Sequence, residues 1–277
     1  MCAFIQDVIL SPHPYRPEAR YCEVRFALSR WHDGLFSELG IHRPDHLHRA
    51  VPKRLAEYLA GRYACQHILR SWGIEADIPS GSAREPLWPP LVAGSLSHSG
   101  DRALALLIPA RYRLSPGIDI ETADRDTLLS IAPAIATPGE QGLLTGAGFS
   151  VVSGLLLLFS AKESLFKGLY PQVGRYFGCD AAQLCGLAPD KQQFTLQLTA
   201  DLTDNLRAGM QYQGNFTFTP DGVITSLFCA THSVPASGQR GPASPLMPSI
   251  PHDGSLHYTV SKGKGEYQDV ACHALTK

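Results

Sequence analysis

Residues Gly117-Ile118-Asp119-Ile120-Glu121 alternate apolar and acidic side chains with the period of two that a β-strand imposes. Such a strand has one face to bury and one carrying two carboxylates, with Cα atoms roughly 6–7 Å apart. Acids that close repel each other unless a cation lies between them. An all-oxygen ligand set selects a hard ion, magnesium above all, which keeps waters and also takes phosphate oxygens from a substrate. Further along, Phe159-Ser160-Ala161-Lys162-Glu163-Ser164-Leu165-Phe166-Lys167 sets Glu163 and Lys167 four apart, on one face of a helix. Laid on the acidic face of the strand, that helix would add a third carboxylate and an ammonium. The combination points to metal-dependent chemistry on a phosphate or pyrophosphate. Taken singly, each piece also reads as a solvated sheet face or a surface ion pair.

Two upstream segments bear on that reading. Gly94-Ser95-Leu96-Ser97-His98-Ser99-Gly100-Asp101-Arg102, followed by the apolar run Ala103 to Ile108, predicts a hairpin. The first strand is expected to end at Ser97, which puts His98 at the tip. Its hydroxyls, backbone N–H groups and imidazole are all able to donate to a bulky anion, and a polar turn facing water is the alternative. From Lys53 to Trp72 the pattern predicts an amphipathic helix with Leu55, Tyr58, Leu59, Cys65 and Leu69 on its apolar stripe. Arg62 falls inside that stripe, where a charge is costly unless paired. It either bridges a buried carboxylate or awaits a phosphate. Arg54 lies at the stripe's edge. Arg84 and the stiff Pro86-Leu87-Trp88-Pro89-Pro90 loop either wall a nucleotide or simply pack.

Taken in order, five blocks resemble the motif series of the 4′-phosphopantetheinyl transferases of the surfactin type, and among them a member serving siderophore synthesis. The blocks are Lys53-Arg54-x-x-Glu57-x-x-Ala60-Gly61-Arg62, Arg84-x-Pro86-x-Trp88-Pro89, Ser97-His98-Ser99, Gly117 to Glu121, and Phe159-Ser160-x-Lys162-Glu163-Ser164-x-x-Lys167. They cover roughly positions 45 to 232, and five blocks in family order are hard to obtain by chance. The resemblance implies an α/β (α+β) fold of two similar halves in a pseudo-twofold arrangement. Residues 1–116 would form the half that binds the anions of coenzyme A, and 117–233 the half with the magnesium and catalytic residues. Residues 234–277, rich in Pro, Ser and Gly, read as a disordered tail outside the resemblance.

The implied reaction transfers phosphopantetheine from coenzyme A to a serine of an apo acyl or peptidyl carrier protein. Asp119, Glu121 and Glu163 would hold Mg2+. Ser97 and His98, assisted by Arg54, Arg62 and Arg84, would contact coenzyme A. Glu163, or a water on the metal, would be the base, and Lys167 would neutralise the leaving group. A siderophore carrier is the first expectation. A monomer with a pseudo-dimeric fold is implied, with association to a larger synthetase complex left open. The chain departs from the family at Phe159, where many relatives have Trp, and at Thr137-Pro138-Gly139-Glu140, where Pro138 replaces an acid. Glu140 reads first as a helix-start residue and second as a partner for a metal-bound water.

With 277 residues the chain can build a proper core, and a formal net charge of −1 gives no footprint for nucleic acid. Seven cysteines without a C-x-x-C pair suggest free thiols and a cytoplasmic location. Residues 1–7 lack a signal-peptide pattern, and Val151 to Phe159 is too short to span a membrane; it fits a buried helical start. His42, His46 and His48 sit in a loop and make a weak transition-metal candidate. Neither G-x-G-x-x-G nor a Walker loop occurs. Strands are expected around Phe194–Leu198, Phe216–Thr219 and Val223–Cys229, with Pro220-Asp221-Gly222 as a hairpin turn. The competing functions are a magnesium-dependent phosphodiesterase or nuclease, and a non-catalytic binding module.

Overall fold

The computed structural model describes residues 3–122 and 124–231. The expected tail, 234–277, lies outside the described residues. In chain order the elements are β1 (Ile5–His13), β2 (Arg16–Phe26), α1 (Leu35–Glu38), α2 (Pro52–Ser71), β3 (Val92–Ser99), β4 (Arg102–Pro109) and β5 (Leu114–Glu121). They continue with α3 (Arg125–Ile135), α4 (Pro138–Gly146), α5 (Val151–Val173), β6 (Ala182–Ala188), β7 (Gln193–Leu198), β8 (Gln211–Thr219) and β9 (Gly222–Ala230). Two antiparallel sheets result, ordered β1-β2-β4-β3 and β5-β9-β8-β7-β6. Each carries one long helix, α2 on the first and α5 on the second.

The apolar run of β4 explains how the sheets meet. Every residue from Arg102 to Ile108 is buried, as expected of a strand covered on both faces. Ala103, Ala105 and Leu107 face the core built around α2, joined there by Leu55, Leu59 and Cys65 of the helix stripe. Leu104, Leu106 and Ile108 face the other way and pack with Ile118 and Ile120 of β5. The apolar half of the Gly117–Glu121 alternation is thus spent on joining the sheets. Its other face, with Gly117, Asp119 and Glu121, is left for α5.

The α5 helix lies almost on the backbone of β5. A methyl at Gly117 would sit 2.9 Å from the Gly168 nitrogen, and closer still to the Ser164 carbonyl oxygen. Only glycine permits that approach. Upstream, Leu155, Leu157 and Leu158 bury against α3, β6 and β7 in the second core, which is the buried helical start read from the sequence.

A seam of serines joins the two sheet edges. Ser95 and Ser97 of β3 accept the backbone N–H groups of Ile118 and Ile120 of β5, at 3.0 and 3.2 Å. The Ser99 hydroxyl lies 2.7 Å from the Thr122 hydroxyl. Residues two apart on a strand share a face, so alternate serines of β3 engage Ile118 and Ile120 of β5 and Thr122 just beyond its end. An edge strand's outward N–H groups need partners, and side chains supply them here in place of a ladder. Each such bond contributes a net ~0.5–1.5 kcal/mol.

The hairpin differs in one detail from the sequence reading. β3 runs on through Ser99, and Gly100, at φ 59°, makes the turn with Asp101, so His98 is still in the ladder opposite Ala103. The ladder itself continues through the His98–Ala103 and Ser99–Arg102 pairs, so the strand does not stop at Ser97. The β8–β9 turn falls at Pro220-Asp221 as expected. Among the described residues, no single helix is long and apolar enough to cross a membrane.

Candidate active site

A cavity of about 560 Å3 opens between α2, the loop of residues 80–88, β3 and the C-terminal part of α5. That is the size range of small-molecule sites. Arg54, Arg62, Arg84, Ser97, His98 and Lys167, the six residues assigned to coenzyme A by resemblance, all line it. Leu87, Trp88, Phe166 and Tyr170 give it an apolar wall.

The cations are held in distinct ways. Arg62 Nε donates to the Ile78 carbonyl at 2.7 Å, and its guanidinium stacks 4.5 Å from the Tyr58 ring centroid. A carbonyl and an aromatic face therefore support this charge inside the helix stripe, where the sequence allowed a carboxylate. Arg54 Nη1 lies 3.1 Å from His98 Nε2. A guanidinium only donates, so Nε2 accepts and Nδ1 carries the hydrogen, facing Glu57 Oε2 at 3.7 Å. Glu57 stands in the first motif block, but its role there was not legible from local pattern. Arg84 sits at φ 67°, a conformation that costs a non-glycine residue and is often kept at functional sites. Nearby, His46 has its pKa lowered by burial and then by the charges of Arg84, Arg54 and Arg62. The mouth of the cavity is an electropositive place.

Asp119 and Glu163 stand beside Lys167 at its end of the cavity, and Glu121 shares the Asp119 face of β5. Asp119 is wholly buried, and Glu121 and Glu163 nearly so. Lys167 Nζ approaches Asp119 Oδ1 to 2.6 Å and donates to Ser97 Oγ at 3.0 Å. Ser97 Oγ donates in turn to Asp119 Oδ1 at 2.8 Å. Burial, and then the negative charge of Asp119, push the Glu163 carboxyl up to about 8 despite the opposing pull of Lys167. Glu163 Oε2 has no hydrogen-bond partner among the described residues. Two serines of the α5 motif anchor the helix to β9, where Thr225 pairs with Asp119. Ser160 Oγ is 2.9 Å from Thr225 Oγ1, and Ser164 Oγ donates to the Thr225 carbonyl at 3.1 Å.

Lys162 points away from the acids. It forms a buried ion pair with Glu140 at 2.9 Å and donates to the Ile135 carbonyl. Glu140 closes a capping box with Thr137 at the start of α4 and accepts the Leu184 N–H. Its helix-start reading holds. Burial pushes the Glu140 carboxyl up, but Lys162 and the N–H donors outweigh it and hold it below its usual value. Phe159 packs in the second core. Among the described residues, no three His, Cys, Asp or Glu side chains close into a ready-made metal cage. That applies to the His42, His46 and His48 loop as well as to the three carboxylates.

Comparison with known proteins defines the class. Residues 43–108 match the 4′-phosphopantetheinyl transferase N-terminal domain, and residues 115–219 match the 4′-phosphopantetheinyl transferase superfamily. The chain is similar to enterobactin synthase component D of Salmonella typhi, 38% identical over 165 residues, which are 59% of this chain and 68% of the relative. The chain therefore belongs to the 4′-phosphopantetheinyl transferase superfamily and is an enzyme of that transferase class. It is also similar to enterobactin synthase component D of Escherichia coli (strain K12), 41% identical over 122 residues, 44% of this chain and 57% of the relative. The 4′-phosphopantetheinyl transferase Svp of Streptomyces mobaraensis is 35% identical over 158 residues, 55% of this chain and 63% of that protein.

Proposed function

We propose that the protein transfers the 4′-phosphopantetheine arm of coenzyme A to a serine of an apo acyl or peptidyl carrier protein, releasing adenosine 3′,5′-bisphosphate. The observation that carries this reading is the convergence of Arg54, Arg62, Arg84, His98 and Lys167 on one cavity, with buried Asp119 paired to Lys167 and the Glu163 carboxyl in the field of both. Coenzyme A brings a pyrophosphate and a 3′-phosphate, and the arginines and His98 supply donors for them. The apolar wall suits the pantetheine arm. The similarity to enterobactin synthase components makes a siderophore synthetase carrier the first acceptor to try. Such a carrier domain and coenzyme A meet in the cytoplasm, and the five described cysteines are free thiols, as suits a reducing compartment. The protein acts as a monomer whose two halves form the cleft.

Asp119, Glu121 and Glu163 would hold Mg2+. Their chemistry fits: all are oxygen donors, and Glu163 has a buried oxygen without a hydrogen-bond partner and a carboxyl raised by burial and then by the neighbouring charge of Asp119. Magnesium is commonly held by one or two carboxylates plus waters and substrate phosphates, so a preformed protein cage is not required. When bound, the ion supplies charge neutralisation at the pyrophosphate.

The chain's own residues do the rest. Glu163, whose buried Oε2 has no hydrogen-bond partner among the described residues, takes the proton from the carrier serine. The serine oxygen bonds to the pantetheine-side phosphorus, and the bond from that phosphorus to the bridging oxygen breaks. Lys167 meets the negative charge that grows on the departing bisphosphate. Positioning and charge stabilisation are the main catalytic terms in such transfers. A nuclease or phosphodiesterase reading gains no support from the family found.

Intact-mass spectrometry tests the reading. An apo peptidyl carrier domain incubated with the protein, coenzyme A and magnesium should gain one phosphopantetheine. No gain on siderophore, polyketide and fatty-acid carriers alike, with the enzyme folded, would reject it.

A further inference from the structure

Ser97 lines the cavity, but its hydroxyl is fully committed inside the protein. A serine hydroxyl has one hydrogen to give and two lone pairs to accept with. The hydrogen goes to Asp119 Oδ1 at 2.8 Å. The lone pairs accept from Lys167 Nζ at 3.0 Å and from the Ile120 N–H at 3.2 Å. The residue is 1% exposed. No bonding position remains for a phosphate of coenzyme A, the contact that the family resemblance implies for this serine.

We propose that Ser97 is a positioning residue: its hydroxyl, delivered from β3 of the N-terminal half, fixes the Lys167 ammonium against Asp119 of the C-terminal half. A lysine side chain carries about 2 kcal/mol of rotamer freedom. Two anchors of different origin remove most of it: Asp119 on β5, and Ser97 on the strand across the seam. The Ile120 N–H bond holds the serine itself, because β5 cannot shift along β3 without breaking it. An ammonium has three hydrogens; with two directed at Ser97 and Asp119, the third is left for the cavity that Lys167 lines. Ser97 therefore acts on the reaction through Lys167 and touches no substrate. Its neighbour His98, which faces Arg54 and Glu57, remains the coenzyme contact of this block. The catalytic part of the proposal rests on the transferase reading; the anchoring part does not.

The test uses the full chain with Ser97→Ala, Ser97→Thr and Ser97→Cys. Two readouts are taken: steady-state kinetics with coenzyme A, magnesium and an apo carrier, and the rate at which acetic anhydride labels Lys167, mapped by mass spectrometry without coenzyme A or metal. Ser97→Ala should lower kcat by on the order of 10- to 100-fold, with KM for coenzyme A within about threefold of wild type, since a misplacement of ~1 Å costs up to 10²-fold. Lys167 should label several-fold faster. Ser97→Thr, which keeps the hydroxyl, should restore both readouts. If Ser97→Ala does not fold, Ser97→Cys, close in size but a weak hydrogen-bonding partner, should show the same loss confined to kcat. A raised KM with unchanged kcat would overturn the proposal in favour of a coenzyme contact. Unchanged labelling of Lys167 would overturn it as well. If wild type modifies no carrier, the transferase reading fails, while the labelling still decides whether Ser97 anchors Lys167.

Discussion

Replacing Gly117 by alanine puts a methyl between β5 and α5 where no side chain can step aside. The added carbon would lie 2.9 Å from the Gly168 nitrogen and closer still to the Ser164 carbonyl oxygen, against the 3.4 Å or more of ordinary contact. Both obstacles are backbone, so relief requires α5 to lift off β5 by on the order of 1 Å. Overpacking of this kind costs about 1–3 kcal/mol of stability. The larger effect falls on the site, because Glu163 and Lys167 ride on the lifted helix while Asp119 stays on the strand. The Lys167–Asp119 contact, 2.6 Å in the native protein, would stretch beyond hydrogen-bonding range. A shift of that size is expected to lower kcat by on the order of 10²-fold. Carrier-modification rates and thermal unfolding, measured side by side, check this. Gly142→Ala serves as the control, since its methyl meets nothing within 4 Å and helical glycine to alanine should stabilise by roughly 0.5–1 kcal/mol. Wild-type rate and stability in Gly117→Ala would refute the claim that this crossing sets the site.

Three further outcomes follow from the charges. In metal-free protein the folded state keeps the Glu163 proton up to about pH 8, while the unfolded chain releases it near 4.5. Stability must then fall as pH rises through that window, and Glu163→Gln should flatten the decline in Tm; parallel slopes would contradict it. Lys162→Met strands the buried Glu140 carboxylate and should cost about 3–5 kcal/mol in urea unfolding, with Lys162→Met/Glu140→Gln recovering most of it. Arg54→Met removes a charge-assisted donor and should raise KM for coenzyme A by roughly 10- to 100-fold with kcat nearly unchanged; a loss confined to kcat would place Arg54 elsewhere in the mechanism.

Local periodicity made several elements legible. The stripe on α2 was readable because Leu55, Leu59, Cys65 and Leu69 recur at helical spacing, and all are buried. The β5 alternation gave both faces correctly, apolar toward β4 and acidic toward α5. What the chain withheld is long-range. Ser97 and Asp119 are 22 positions apart and Glu140 and Lys162 are 22 apart, and no local pattern announces either pairing. The serines of the hairpin looked like an anion cradle because hydroxyls beside a histidine suit one. That Ser95 and Ser97 also accept the outward N–H groups of another sheet's edge depends on how two sheets meet. Glu57 was missed for a similar reason, since its place beside His98 exists only once β3 packs on α2. β6 and α3 carried no pattern strong enough to read, and of α4 only the start at Glu140 was legible. Lys162 and Lys167 sit in the same motif yet serve opposite sides of α5, a distinction that only helix packing makes.

The central claim is that carrier modification occurs where α5 crosses β5, with the carboxylates of both elements taking part. One measurement addresses it: intact mass of an apo siderophore-type carrier after incubation with coenzyme A and wild type, Asp119→Ala or Glu163→Ala, each with magnesium and with chelator. The account expects a phosphopantetheine gain with wild type and magnesium alone, and losses of several orders of magnitude in both variants although they remain folded. Full modification by either variant, or by wild type in chelator, would contradict it.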